Sequence, residues 1–318
     1  MTALPPVELE PGLFVLDLNF QGYAGAVAVY LYVDSSPAGS GQAPDLTLVE
    51  TGPGSTLPTL RAGLGALGYE LSQLSRVLVT HIHLDHAGAA GAVMREAPRA
   101  RFYVHALGAQ HMVDPSKLIA SASRIYGDEM ERLWGAFERV PAERLTVLED
   151  GATLRCGRRD LVALHTPGHA VHHIAYHDPE ARVLFSGDVA GVRLSDARYV
   201  RPPTPPPDID LDAWRVSIAR MRAADPRRLL LTHFGAFDDA SWHLDELLSR
   251  LFNWAGWIEA RLGASPDAAA LVPALKARAD AEVLQAGGSE LLARGYELAT
   301  PSHMTVTGIA RWLNRRRG

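Results

Sequence analysis

Short apolar runs alternate with amphipathic segments from the N-terminus to about residue 237. Runs rich in Val, Leu and Tyr have the length of strands, and segments with apolar residues three and four positions apart have the spacing of helices. The predicted strands span residues 13–18, 26–33, 46–50, 77–80, 101–105, 145–148, 152–156, 161–165, 173–176, 183–186 and 229–232, and the predicted helices span residues 55–67, 87–96, 118–139 and 211–221. Residues 35–45, rich in Gly, Ser and Pro, are predicted to form a hairpin tip. Strands alternating with helices in two successive sets predict a layered α/β domain.

The pattern changes near residue 238. Beyond it, Leu244, Leu247, Leu251 and Ile258 follow helical spacing, and we find no convincing strand pattern. We therefore predict a main domain over residues 1–237 and a helical extension over residues 238–318 that packs on it.

A cluster of chemically active side chains follows the predicted strand 77–80. His81, His83, Asp85 and His86 lie within six residues, and a predicted helix comes directly after them. In an extended loop His81 and His83 point to the same side, because side chains alternate with a period of two, so both can bind one ion. Asp85 and His86 come where the chain turns into the helix and can face a second ion. Imidazole and carboxylate ligands together suit zinc, manganese, iron or cobalt.

Three further candidate ligands also lie at predicted strand ends. His169 follows the strand 161–165, Asp188 follows the strand 183–186, and His233 follows the strand 229–232. Ligand sites of α/β proteins collect at strand ends. These residues therefore argue against a chance cluster at His81–His86 and favour one metal site.

The ordered blocks His-x-His-x-Asp-His, a later His, Asp within Ser-Gly-Asp and a final His resemble the metallo-β-lactamase superfamily over about residues 10–237. The resemblance implies a four-layer αββα sandwich, with the C-terminal helical appendage added to it. It implies that one ion is bound by His81, His83 and His169, that a second is bound by Asp85, His86 and His233, and that Asp188 bridges both. The blocks around His169 and Asp188 are most similar to the glyoxalase II-like branch.

Three other residues are candidates for supporting the ligands or lining the substrate pocket. Glu50 stands where the family often has Asp, and its longer side chain can still reach behind the ligands. His165 ends the predicted strand 161–165, and Tyr199 begins a proline-rich stretch between Asp188 and His233. The neighbouring His172, His173 and His177 are predicted to be packing or solvent residues.

The ligand set predicts an enzyme, a binuclear metal-dependent hydrolase. Two divalent ions, expected to be zinc with iron or manganese as alternatives, lower the pKa of a shared water, so a bridging hydroxide is the expected nucleophile. Asp85 is the candidate catalytic residue, because its carboxylate can take up or orient a proton. The expected substrate is a small ester-like molecule, either a thioester or a lactone.

Two other activities of the same fold remain open from the sequence. One is a mononuclear iron enzyme similar to persulfide dioxygenases, and the other is a phosphodiesterase or nuclease. The net charge of -5 and the lack of an obvious basic, aromatic-rich surface argue against a nucleic-acid partner.

Composition changes this interpretation little. The single cysteine, Cys156, excludes an intramolecular disulfide and a zinc site built from thiolates. Residues 1–12 do not have the basic-then-apolar pattern of a signal peptide, and the longest apolar run, 24–33, is too short to span a bilayer as a helix. We expect a cytoplasmic protein with a small-molecule substrate and no membrane partner, and homodimerisation stays open.

Overall fold

The computed structural model describes residues 4–34, 43–195, 197–262 and 267–317. Most of the predicted hairpin tip at residues 35–45 therefore lies outside the described residues. The chain divides into two compact units. The first unit holds residues 1–165 and 174–185, and the second unit holds residues 166–173 and 186–318. The predicted domain boundary at residue 237 stays a prediction.

The first unit is rich in strands. In chain order they are β1 (Val7–Glu10), β2 (Leu13–Asp17), β3 (Ala28–Asp34), β4 (Asp45–Val49), β5 (Leu74–Leu78), β6 (Arg101–His105), β7 (Leu145–Leu148), β8 (Thr153–Cys156), β9 (Arg159–His165), β10 (Ile174–Asp178) and β11 (Val183–Phe185). All but β1 coincide with a predicted strand to within a few residues. The strand β1 is too short and too exposed to show an apolar pattern.

Strands β1 to β7 form a seven-stranded mixed sheet in chain order. The pairs from β1 to β4 are antiparallel, and the pairs from β4 to β7 are parallel. In the parallel part Val77 of β5 lies opposite Phe102 of β6, and both are fully buried. Strands β8 to β11 pair antiparallel in succession. The sheet thus brings the chain after β5, where the His-rich block begins, to the end of a buried parallel strand.

The helices of the first unit are α1 (Leu57–Ala66), α2 (Leu84–Ala87), α3 (Ala90–Glu96), α4 (Ala106–Val113), α5 (Ser116–Tyr126) and α6 (Met130–Trp134). The prediction of one helix over residues 118–139 was wrong. Gly127 and Gly135 adopt positive φ angles of 52° and 65°, which end α5 and α6. The helix predicted to begin at residue 55 begins at Leu57, and the Ser55 hydroxyl donates to the Leu133 carbonyl.

A hydrophobic core of the first unit joins its seven-stranded sheet to its helices. Leu31 and Leu48 of the sheet belong to the same buried cluster as Leu60 of α1 and Val93 of α3. Cys156 is also buried, at the end of β8, and burial raises the pKa of its thiol to about 11. The thiol therefore stays protonated at neutral pH and behaves as an apolar side chain.

The second unit is mainly helical. Its elements are α7 (Leu211–Ala223), the antiparallel hairpin of β12 (Arg228–Leu231) and β13 (Gly235–Phe237), and then α8 (Ala240–Leu262), α9 (Val272–Gln285), α10 (Glu290–Ala299) and α11 (Ser302–Arg317). The three-residue strand β13 was not predicted. Asp210 caps α7 by accepting from the backbone N–H groups of Asp212 and Ala213. From Ala240 to the end of the described chain the regular elements are helical, as predicted. Among the described residues, no helix combines the length and apolar character needed to cross a bilayer.

Candidate metal centre

The first unit carries a cluster of four candidate ligands, His81, His83, Asp85 and His86, which we call the first cluster. His81 follows the buried end of the parallel strands, and His83 directly precedes α2. His81 Nε2 lies 2.9 Å from His83 Nδ1. The ligand atoms of His81 and His86, and those of Asp85 and His86, also lie within 4.8 Å of each other. His81 and His86 are fully buried, whereas the Asp85 side chain keeps 23% of its exposure.

Glu50 lies behind this cluster. It is buried, adopts a left-handed φ of 67° and places Oε1 3.0 Å from His86 Nδ1. Its carboxylate also accepts from the backbone N–H of Thr80 at 3.2 Å and from the Thr80 hydroxyl. Because that hydroxyl donates to Glu50, Thr80 Oγ1 can accept from His81 Nδ1, 3.1 Å away. Hydrogen bonds at Nδ1 leave Nε2 of His81 and His86 as the nitrogen that can bind a metal.

The loop after β4 holds the start of α2. Thr51 and Gly52 donate their backbone N–H groups to the His86 carbonyl at 2.8 and 3.2 Å, and Ala89 N–H donates to the Gly52 carbonyl at 2.8 Å. A Cβ on Gly88 would lie 3.0 Å from Pro53 Cα, so glycine permits this close approach. The helix start that carries Asp85 and His86 is therefore fixed by backbone contacts.

The second unit carries His169, Asp188 and His233, which we call the second cluster. All three side chains are buried. Asp188 Oδ2 lies 3.4 Å from His169 Nε2, and Asp188 Oδ1 lies 3.6 Å from His233 Nε2. One carboxylate thus offers a separate oxygen beside each of two imidazoles. This arrangement is expected of a carboxylate that bridges two cations.

Hydrogen bonds orient the second cluster as well. His169 Nδ1–H donates to the Pro203 carbonyl at 2.8 Å, which leaves Nε2 as the ligand nitrogen. The backbone N–H of Asp188 donates to His173 Nε2 at 3.2 Å, and His173 Nδ1 lies 2.9 Å from the Thr166 hydroxyl. Since an imidazole nitrogen that accepts carries no proton, His173 is the neutral Nδ1–H tautomer.

The support from His173 and Pro203 was missed by sequence reasoning. The sequence predicts that His173 is a packing or solvent residue, but in the structure its Nε2 accepts a hydrogen bond from the backbone N–H of Asp188, fifteen residues away. A partner that is a backbone atom leaves no mark on residue identity. Only the general rule that metal-binding histidines use their second nitrogen suggested that such partners exist.

The donor set fits divalent metal ions. Buried imidazoles whose Nδ1 atoms are already hydrogen-bonded, together with carboxylate oxygens beside their Nε2 atoms, match the ligands that zinc and similar ions prefer. Oxygen and nitrogen donors of this kind do not by themselves fix the number or identity of the ions. The assignment of the seven residues to two ions stays a prediction.

The structure places His165 and Tyr199 as follows. The His165 ring stacks on His105 with centroids 4.2 Å apart, and its backbone N–H donates to Asp150. Tyr199 is fully buried in the second unit, 4.9 Å from the Tyr296 ring and under the Arg250 guanidinium. Their predicted roles beside the site remain predictions.

The sequence matches the model of the metallo-beta-lactamase superfamily over residues 44–233, which is more than half of the chain. The chain therefore belongs to the metallo-β-lactamase superfamily, as its motifs suggested.

The similar proteins within this superfamily include two that are named as hydrolytic enzymes. The metallo-beta-lactamase fold-containing protein ST1585 of Sulfurisphaera tokodaii is 26% identical over 185 residues, which are 57% of this chain and 69% of the relative. The acyl-coenzyme A thioesterase MBLAC2 of Bos taurus is 33% identical over 118 residues, 35% of this chain and 40% of the relative. A hydroxyacylglutathione hydrolase of Aeromonas salmonicida is 32% identical over 116 residues, 36% of this chain and 33% of the relative. The match thus spans less than half the length of both hydrolases.

A solved structure resembles the whole chain. The metallo-beta-lactamase family protein TTHA1429 of Thermus thermophilus superposes with a TM-score of 0.67 at 23% identity, covering 98% of this chain and 94% of that one. At this identity the likeness concerns the fold alone. The predicted fold class, the α/β metallo-β-lactamase sandwich with C-terminal helices, is confirmed.

Proposed function

We propose that this protein is a binuclear metal-dependent hydrolase that cleaves thioesters, with His81, His83, Asp85, His86, His169, Asp188 and His233 as its metal ligands. Family membership supports metal-dependent chemistry, and the hydrogen bonds at the ligand nitrogens support ligation. We expect both ions to be zinc, with iron or manganese as alternatives.

The geometry of Asp188 is the observation that supports two metal ions. Its two carboxylate oxygens lie beside two different imidazoles, His169 at 3.4 Å and His233 at 3.6 Å. A carboxylate serving one ion would need only one of these partners. Two histidines at separate oxygens therefore favour two cations that share Asp188.

The protein residues have distinct tasks in this proposal. Divalent ions, when bound, supply a water that ionises near neutral pH and polarise the substrate carbonyl. Glu50 and Pro203 hold the rings of His86 and His169 in the orientation that presents Nε2. Asp85, the more exposed carboxylate, would accept a proton from the attacking oxygen and pass it to the departing sulfur, so that the leaving group is released as a thiol.

The substrate class rests on the relatives. An acyl-coenzyme A thioesterase and a hydroxyacylglutathione hydrolase both act on the bond between an acyl group and sulfur. Thioesters are therefore our first choice of substrate, and lactones are the second, since the same attack on a carbonyl opens them.

A substrate panel tests the proposal. Purified protein loaded with zinc, manganese or iron is assayed with acyl-coenzyme A and acylglutathione thioesters, a homoserine lactone and a bis-aryl phosphodiester. We expect thioester hydrolysis that disappears on chelation and returns with metal, and that falls at least about 100-fold in Asp188→Asn. Asp208→Asn, at an exposed carboxylate of the same unit, is the control and keeps full activity.

Two results would overturn the proposal. Oxygen consumption with a persulfide by the iron-loaded protein, without thioester cleavage, would instead establish the mononuclear dioxygenase. Phosphodiester cleavage faster than thioester cleavage would establish the phosphodiesterase.

A further inference from the structure

Three aromatic side chains of the first unit form a continuous group. Phe20 stacks on Trp134 with ring centroids 5.5 Å apart and planes at 21°, and Tyr126 meets Trp134 edge-on at 5.0 Å. Phe20 is buried, whereas Tyr126 and Trp134 are only partly covered. We call these three residues the aromatic wall. Phe20 packs in the core, and the side chains of Tyr126 and Trp134 stay partly exposed.

The aromatic wall is fixed to the loop that holds the first cluster. The Ser55 hydroxyl donates to the Leu133 carbonyl at 2.6 Å. A Cβ on Gly54 would lie 2.5 Å from the Ala136 carbonyl oxygen, and a Cβ on Gly135 would lie 2.6 Å from Ser55 N. These backbone approaches seat α6 and the turn after it directly on residues 54–55. The preceding residues of the same loop, 51 and 52, bind the His86 carbonyl.

We propose that the aromatic wall receives the apolar acyl group of the substrate, so that the enzyme prefers thioesters with medium-length acyl chains over acetyl thioesters. The proposal rests on the thioesterase function proposed above. The partly exposed rings of Tyr126 and Trp134 give the acyl chain an apolar surface on the segment that packs against the loop of the first cluster. Phe20 supports the Trp134 ring from behind and connects it to the core.

The test compares acetyl-, butanoyl- and octanoyl-coenzyme A with the metal-loaded protein. For the wild type we expect kcat/KM to rise about threefold for each methylene between butanoyl and octanoyl, as chain carbons leave water. Trp134→Ala and Tyr126→Ala should each raise KM for octanoyl-coenzyme A about tenfold, with kcat within about twofold and acetyl-coenzyme A unaffected. Trp134→Phe keeps the ring face and should keep the chain-length preference even if Trp134→Ala folds poorly.

Leu107→Ala is the matched control, because Leu107 is 56% exposed at the start of α4 and takes no part in the aromatic wall. It should leave all three substrates unchanged. A wild type without chain-length preference, or alanine variants that keep the preference, would overturn the proposal.

Binding without turnover separates this proposal from the proposed function. The thioethers S-ethyl- and S-octyl-coenzyme A cannot be hydrolysed, and calorimetry measures their affinity directly. If no thioester is cleaved, the proposed function fails. Tighter binding of the octyl compound, weakened about tenfold in Trp134→Ala, would still support the aromatic wall as an apolar site, and equal binding of both compounds would overturn it too.

Discussion

Glu50 is the residue that most clearly links local backbone to the chemistry of the centre. It is buried, its φ of 67° lies in the region that non-glycine residues avoid, and its carboxylate contacts both Thr80 and His86. A residue kept in an unfavourable conformation needs compensating contacts. Here those contacts orient the imidazoles of the first cluster.

We predict that Glu50→Gln weakens metal binding about tenfold or more, because it removes the charge that holds His86 Nδ1–H. A competitive titration with a chelating dye measures the affinity. The exposed Glu143→Gln is the control and should bind metal like the wild type. Unchanged affinity in Glu50→Gln would show that Glu50 serves the fold alone.

His243 provides a pH test in the second unit. It is fully buried, its Nε2–H donates to the Ala190 carbonyl at 2.8 Å, and burial lowers its pKa from 6.5 to about 4. The neighbouring charges act in opposite directions, since Arg193 lowers the pKa and Asp239 raises it. The Phe237 ring packs beside it, with centroids 5.9 Å apart.

The unfolded chain takes up this proton below pH 6.5, but the folded chain takes it up only below about 4. The contribution of His243 to the free energy of unfolding is therefore complete above pH 6.5 and decreases as the pH falls towards 4. We predict that the stability difference between wild type and His243→Gln shrinks by roughly 3 kcal/mol over this range. Urea denaturation at several pH values measures it, and a pH-independent difference would contradict the prediction.

At the scale of elements, the contact between the loop at Gly54 and the turn after α6 gives a stability prediction. Gly54→Ala would push a Cβ to 2.5 Å from the Ala136 carbonyl and 2.9 Å from the Trp134 carbonyl. Since both are backbone atoms, we expect a loss of about 1–3 kcal/mol in the free energy of unfolding. Gly65→Ala in α1 meets no atom within 4 Å and should stabilise by about 0.5–1 kcal/mol. Chemical denaturation measures the free energy of unfolding of both variants. Equal changes in the two variants would contradict the prediction.

The C-terminal helices hold the segment that supports His169. Arg201 is fully buried and donates from Nη2 to Glu297 and Ser302, each at 3.0 Å. Two residues later, Pro203 offers its carbonyl to His169 Nδ1–H. The ion pair thus ties the segment that carries Pro203 to α10 and α11.

Glu297→Gln should cost about 3 kcal/mol of unfolding free energy, because it leaves the Arg201 cation buried without a carboxylate. The double variant Arg201→Met with Glu297→Gln removes that cation and should regain part of the loss. Glu290→Gln, exposed on the same helix, is the control. Thermal or urea unfolding measures the stability of the two single variants and the double variant. A double variant less stable than Glu297→Gln would contradict the prediction.

The elements show what the sequence can predict. Strands such as β3 and β6 and helix α7 have clear apolar periodicity and were located to within a few residues. The helix predicted over residues 118–139 failed because its apolar spacing continues through Gly127 and Gly135, whose positive φ angles break it. The short strands β1 and β13 have too few residues for a pattern.

For the whole molecule, residue identity predicts the metal ligands better than it predicts the groups that hydrogen-bond to those ligands. The seven candidate ligands stand in ordered motif blocks that a single sequence displays. Their partners, such as the Pro203 carbonyl and His173, depend on backbone atoms brought close by folding. Such contacts are invisible before the fold is known.

The central claim is that the seven candidate ligands bind two divalent ions, and elemental analysis of the purified protein tests it most directly. We predict about two divalent ions per chain in the wild type and fewer than about one in Asp188→Asn, since the bridging carboxylate serves both. A wild type that takes up no divalent metal, or an Asp188→Asn variant that still holds two ions as tightly as the wild type, would contradict the account.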